Sequence, residues 1–119
     1  MGTILAVDDE PDLRFLMRRI LTRAGHQVVE AGNGAIALDV LRKTRPDLVV
    51  TDVMMPVMDG IELIDRLRAD PATATIPILA VSSHWHLAAG ADAALGKPYD
   101  RADLVAAAER LLREGRDRR

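Results

Sequence analysis

Four apolar runs in this chain each end in a polar group. "ILAVDDEP" (residues 4–11) drives into Asp8, Asp9 and Glu10, and "LVVTDVMMP" (48–56) into Asp52. "IPILAVSS" (76–83) ends in the hydroxyls of Ser82 and Ser83, and "ADAALGKP" (91–98) near Lys97, one of only two lysines. Three carboxylates held within ~4 Å of one another repel by about 4 kcal/mol per pair at a surface-like dielectric. A cluster of Asp8, Asp9 and Asp52 therefore calls for a cation. With oxygen donors and no cysteine in the chain, a hard divalent ion such as Mg²⁺ suits it. Lys97 supplies a second positive charge and Ser82 a hydrogen-bond donor. Asp52 is left as an oxygen nucleophile facing a metal-held phosphoryl group, and phosphoryl transfer needs little beyond such positioning and charge neutralisation.

The elements that must position these groups alternate along the chain. Strands are expected at 3–7, 26–31, 47–51 and 76–81, with a weak fifth at 93–95. Helices are expected at 12–24, 34–43, 60–68 and 101–113, with Pro11 in the first turn of one and Gly25 at its stop. Leu13, Leu16, Met17, Ile20, Leu21 and Ala24 form the expected inner face of the first helix; Leu104, Ala108, Leu111 and Leu112 form that of the last. Alternating strands and helices imply right-handed crossovers and a parallel sheet covered on both faces. Ligands of such sheets bind beyond the carboxyl ends of the strands. Asp8, Asp9, Asp52, Ser82 and Lys97 all fall there, on one rim.

"AVDDEP", "TDVMMPVMDG", a serine closing the fourth strand and "GKP" together resemble the receiver domain of two-component response regulators, over essentially all of residues 3–113. The resemblance implies a flavodoxin-like five-stranded parallel sheet in the order 2-1-3-4-5. It implies that Asp52 accepts a phosphoryl group from the phosphohistidine of a sensor histidine kinase or a histidine phosphotransfer protein. It also implies that Asp9, Asp52 and the Met54 backbone carbonyl ligate Mg²⁺, that Asp8 acts chiefly through water, and that Ser82 and Lys97 contact the phosphoryl oxygens. The thirty positions from Asp52 to Ser82 match the spacing usual in that family, so the resemblance selects Ser82 over Ser83. A receiver is a signalling phosphoacceptor rather than an enzyme, with at most self-catalysed phosphorylation and dephosphorylation.

Composition sets the bounds. The 119 residues suit one domain, a receiver over 1–113 followed by a polar tail, 114–119. A net charge of −2 gives no support to direct nucleic-acid binding by this segment. No apolar stretch approaches the ~18 residues of a membrane span, and the expected location is cytoplasmic. Taken singly, the acids have plainer readings. Asp9 or Glu10 before Pro11 would cap a helix, and Asp59 would cap the helix from 60 while Pro56 and Gly60 shape the loop before it. Their joint occurrence at four strand ends makes coincidence a poor account. A Mg²⁺-dependent phosphohydrolase with an Asp nucleophile would resemble a D-x-D pattern, but position 54 is Met. A pseudo-receiver that only docks partners would not need the full set of site residues. Zinc at His84 and His86 lacks a third ligand nearby.

Two features depart from the family pattern. Residues 82–92 supply eleven residues where a parallel crossover usually takes a dozen or more, so the helix between strands four and five should be one or two turns at most, or absent. The fifth-strand position usually held by Tyr or Phe is Ala94, which removes the aromatic switch and unsettles the usual output face. Trp85 in the shortened segment then becomes a candidate to cover the gap, and residues 83–95 a candidate partner or homodimer surface.

Overall fold

The computed structural model describes residues 2–83 and 89–115. Five strands, β1 (Thr3–Val7), β2 (Gln27–Ala31), β3 (Leu48–Thr51), β4 (Ile78–Val81) and β5 (Ala93–Leu95), form one sheet. All its pairings are parallel, and its order is β2-β1-β3-β4-β5. Four helices are described: α1 (Pro11–Arg23), α2 (Gly34–Lys43), α3 (Gly60–Ala69) and α4 (Arg101–Glu114). This is the flavodoxin-like arrangement that the resemblance implies. Observed boundaries shift from the expected ones by a residue or so, except that β4 begins at Ile78; Ile76 and Pro77 are buried but lie outside the ladder. The expectation about a helix between β4 and β5, and the readings of His84, Trp85 and His86, fall on residues 84–88, outside the described residues.

Side-chain alternation along the strands divides the core in two. Leu5, Val7, Val49, Ile78 and Ala80 face α2 and α3, meeting Ala37, Leu63, Ile64 and Leu67. Ile4, Ala6, Leu48, Val50, Leu79 and Val81 face the opposite side, where Met17, Ile20 and Leu21 of α1 and Leu104, Ala108 and Leu111 of α4 cover them. One expectation is corrected here. Leu13 and Leu16 of α1 are not core residues; they are exposed and line a cavity of about 340 Å³ with Ser83, Lys97, Pro98 and Tyr99. Helical spacing places them beside the inner face, but α1 and α4 pack on the central strands and leave the rim end of α1 uncovered.

Candidate functional site

The strand order reverses between β1 and β3, which are direct neighbours although β2 lies between them in the chain. Register finishes the placement. Val7 pairs with Thr51, so the next residues, Asp8 and Asp52, emerge side by side from the same edge. The Asp52 amide donates to the Val7 carbonyl at 2.9 Å, and the Asp8 amide to the Ala31 carbonyl of β2 at 3.2 Å. Asp8 is fully buried and Asp52 is 7% exposed. Carboxylate oxygens of Asp8, Asp9 and Asp52 lie within 4.8 Å of one another. A trio of hard oxygen donors at that spacing fits a divalent cation that keeps part of its water shell.

Each buried carboxylate oxygen has its own partner, as burial of a charge demands. Asp8 Oδ1 accepts from the Glu10 amide at 3.0 Å, and Asp52 Oδ1 from the Val53 amide at 2.7 Å. Lys97, carried in from the segment after β5, donates through Nζ to Asp8 Oδ2 at 2.9 Å and to Asp52 Oδ2 at 3.2 Å. Burial alone would lower the Lys97 pKa. The hydrogen bond and charge of Asp8, joined by those of Asp52, outweigh it and hold the ammonium above its ordinary value. Tyr99, two residues on, has its phenol pushed up chiefly by burial.

The loop after Asp52 is shaped by its own chemistry. The Met58 amide donates to the Pro56 carbonyl at 2.8 Å, closing a γ-turn around Val57, whose φ of 71° is unusual for a β-branched residue. Gly60 then returns the chain, its amide donating to the Val53 carbonyl at 2.7 Å. Asp59 caps α3 by accepting from the Glu62 amide at 2.9 Å, as the loop motif leads one to expect. Glu10 occupies the N-cap of α1 without a capping side-chain bond, so the capping reading of the first acids fails for it.

Of the residues singled out by sequence, Asp8, Asp9, Asp52 and Lys97 come together directly. Ser82 closes β4 at the same rim, buried, its amide donating to the Leu95 carbonyl at 3.1 Å, whereas Ser83 is exposed. Met54 lies two residues past Asp52 and is 52% exposed. Ala94 is an exposed position of β5. Sequence does not single out Arg14 or Glu30, yet Arg14 reaches the rim: it donates to the Asp8 carbonyl at 2.7 Å and pairs with Glu30 of β2 at 3.0 Å. An arginine on an amphipathic helix reads as a solvated residue, and only the tertiary fold puts it under the acidic loop.

The sequence model of the response regulator receiver domain matches residues 4–109, and the chain belongs to that family. It is 37% identical to the phosphate regulon transcriptional regulatory protein PhoB of Pseudomonas aeruginosa, across 93% of this chain and 52% of PhoB. It is 33% identical to Protein PilH of the same organism, across 88% of this chain and 93% of PilH. The chain thus spans about half the length of some curated relatives and most of the length of others. Among solved structures, a putative response regulator from Chloroflexus aurantiacus superposes with a TM-score of 0.90 at 34% identity, covering 94% of this chain and 98% of that one. Response regulator protein TrrA of Thermotoga maritima, solved in complex with Mg²⁺–BeF, gives a TM-score of 0.85 at 28% identity, covering 93% and 99%. No described helix is long and apolar enough to cross a membrane.

Proposed function

We propose that this receiver domain takes a phosphoryl group onto Asp52 from the phosphohistidine of a sensor histidine kinase or a histidine phosphotransfer protein, in a Mg²⁺-dependent reaction. The observation that carries this reading is the buried Asp52 carboxylate. One of its oxygens is held by the Val53 amide and the other by Lys97, beside Asp8 and Asp9. An Asp52 oxygen attacks phosphorus, the bond from phosphorus to the donor imidazole breaks, and its electron pair returns to the ring nitrogen, which takes up a proton. Lys97 is placed to shift from the carboxylates to the phosphoryl oxygens, and the Ser82 hydroxyl to donate to another. Asp9, Asp52 and the Met54 carbonyl would hold Mg²⁺ directly and Asp8 through water; bound there, the ion would offset the negative charge of carboxylates and phosphate together. That TrrA was solved in complex with Mg²⁺–BeF, a phosphoryl mimic, supports Mg²⁺ as the metal in this reading. The domain assignment, 1–113 with a polar tail, and a cytoplasmic location belong to the same reading.

Mass spectrometry after incubation with acetyl phosphate, with and without Mg²⁺, tests it. Wild type should gain one phosphoryl group only with Mg²⁺, and Asp52→Asn should gain none. A phosphohydrolase would instead consume many equivalents. Uptake by Asp52→Asn at the wild-type rate would overturn the assignment of the nucleophile.

A further inference from the structure

Among the described residues, Asp8 and Asp52 are each fixed by hydrogen bonds through their side chains, and Asp9 is not. What holds Asp9 is therefore its backbone: the peptide plane joining Asp8 to Asp9 sets the direction in which its side chain leaves the loop. One guanidinium holds that plane. Arg14 Nη1 donates to the Asp8 carbonyl at 2.7 Å, while Nε pairs with Glu30 Oε1 at 3.0 Å. Glu30 also pairs with Arg18 at 3.3 Å, so its carboxylate is anchored from both sides. Arg14 thus crosses from α1 under the acidic loop to β2 with both faces of its fork engaged.

We infer that Arg14 is a positioning residue for the metal-binding carboxylates, and that Glu30 sets Arg14. The inference rests on the Mg²⁺-dependent reading above. Arg14 touches neither phosphoryl group nor metal; it acts by holding the Asp8 carbonyl so that Asp9 faces Asp52. Outer-shell partners of this sort set metal affinity by orienting ligands that would otherwise sample several directions.

The test measures Mg²⁺ binding directly by calorimetry, and in parallel the Mg²⁺ dependence of phosphorylation by acetyl phosphate, in wild type, Arg14→Met, Arg14→Lys and Glu30→Gln. Arg14→Met keeps an apolar stem and should weaken Mg²⁺ binding about tenfold, with the uptake rate at saturating Mg²⁺ within about twofold of wild type. Glu30→Gln should lie between the two. Arg14→Lys, which can reach the Asp8 carbonyl or Glu30 but cannot bridge both in a fork, should recover only part of the affinity. Unchanged Mg²⁺ affinity in folded Arg14→Met would overturn the inference, and so would a lowered melting temperature as its only effect. If wild type binds Mg²⁺ but takes up no phosphate, the phosphoacceptor reading fails while calorimetry still decides the role of Arg14. If wild type binds no Mg²⁺ at millimolar concentration, both fall.

Discussion

Gly60 packs against the backbone of Asp52 so closely that a Cβ on it would lie 2.0 Å from the Asp52 carbonyl oxygen. The residue that opens α3 therefore sets how the chain leaves the carboxylate proposed to accept the phosphoryl group. Gly60→Ala must push the two backbones apart. It should destabilise the domain by about 1–3 kcal/mol and slow phosphoryl uptake well beyond the fraction unfolded. Urea denaturation and mass spectrometry on the same sample check both; uptake at the wild-type rate in the folded fraction would show that the loop tolerates the shift.

Among the described residues, Lys97 is the only cation hydrogen-bonded to the side-chain carboxylates of Asp8 and Asp52. Removing its charge in Lys97→Met should cost about 3 kcal/mol at pH 7 in the metal-free protein, the low end for breaking a buried pair. Its folded pKa lies above the ordinary 10.5, so the native state binds that proton more tightly. The stability from Lys97 is complete below about pH 10 and is lost as pH rises through the raised folded value. The gap between wild type and Lys97→Met should accordingly stay constant from pH 7 to 9 and narrow above pH 10.5. Urea titrations across that range test it; a gap that widens with pH would contradict the pairing.

Mg²⁺ should stabilise the folded state, because unfolding separates Asp8, Asp9 and Asp52. At ten times its dissociation constant the gain is about 1.4 kcal/mol, which for a domain of this size raises Tm by several degrees. Asp9→Ala should remove the response. Thermal melts with and without MgCl₂ measure it, and an unshifted wild-type Tm at 10 mM would count against the site.

Asp59 is an acid of another kind. Its carboxylate caps α3, so Asp59→Ala should cost about 1 kcal/mol of stability and leave Mg²⁺ binding unchanged. Calorimetry on this variant separates the structural acid of "MPVMDG" from the chemical ones; a tenfold loss of Mg²⁺ affinity would place Asp59 in the site after all.

Arg68 ties α3 to the start of β5. It pairs with Asp92 at 2.7 Å and donates to the carbonyls of Ala74, Ile76 and Gly90, while Asp92 also accepts from the Ile78 amide at 2.8 Å. Arg68→Met removes the cation that partly buried Asp92 pairs with at 2.7 Å and should cost about 1–3 kcal/mol. Guanidinium chloride denaturation would reveal it. A loss below 1 kcal/mol would mean that water replaces the arginine.

The alternation of apolar runs with amphipathic stretches, and the polar group closing each run, were legible without coordinates. Period-2 and period-3.6 patterns are local properties, and a parallel sheet places every strand's carboxyl end on one side. That was enough to set Asp8, Asp9, Asp52, Ser82 and Lys97 on one rim. The strand order came from resemblance to the family, since no local pattern states which strand lies beside which. Tertiary structure alone decided the rest. Register between Val7 and Thr51 put Asp8 against Asp52, and the long arm of Lys97 reached both because β5 lies beside β4 on that side of β3. Leu13 and Leu16 kept the spacing of core residues but lost their cover, because burial depends on what packs opposite a helix face and not on the face itself. Arg14 shows the converse: its charge and spacing mark a surface residue, and its hold on the Asp8 carbonyl is fixed because β2 brings Glu30 alongside α1. Contacts between residues distant in sequence depend on how whole elements pack, and a pattern read along the chain carries no term for that.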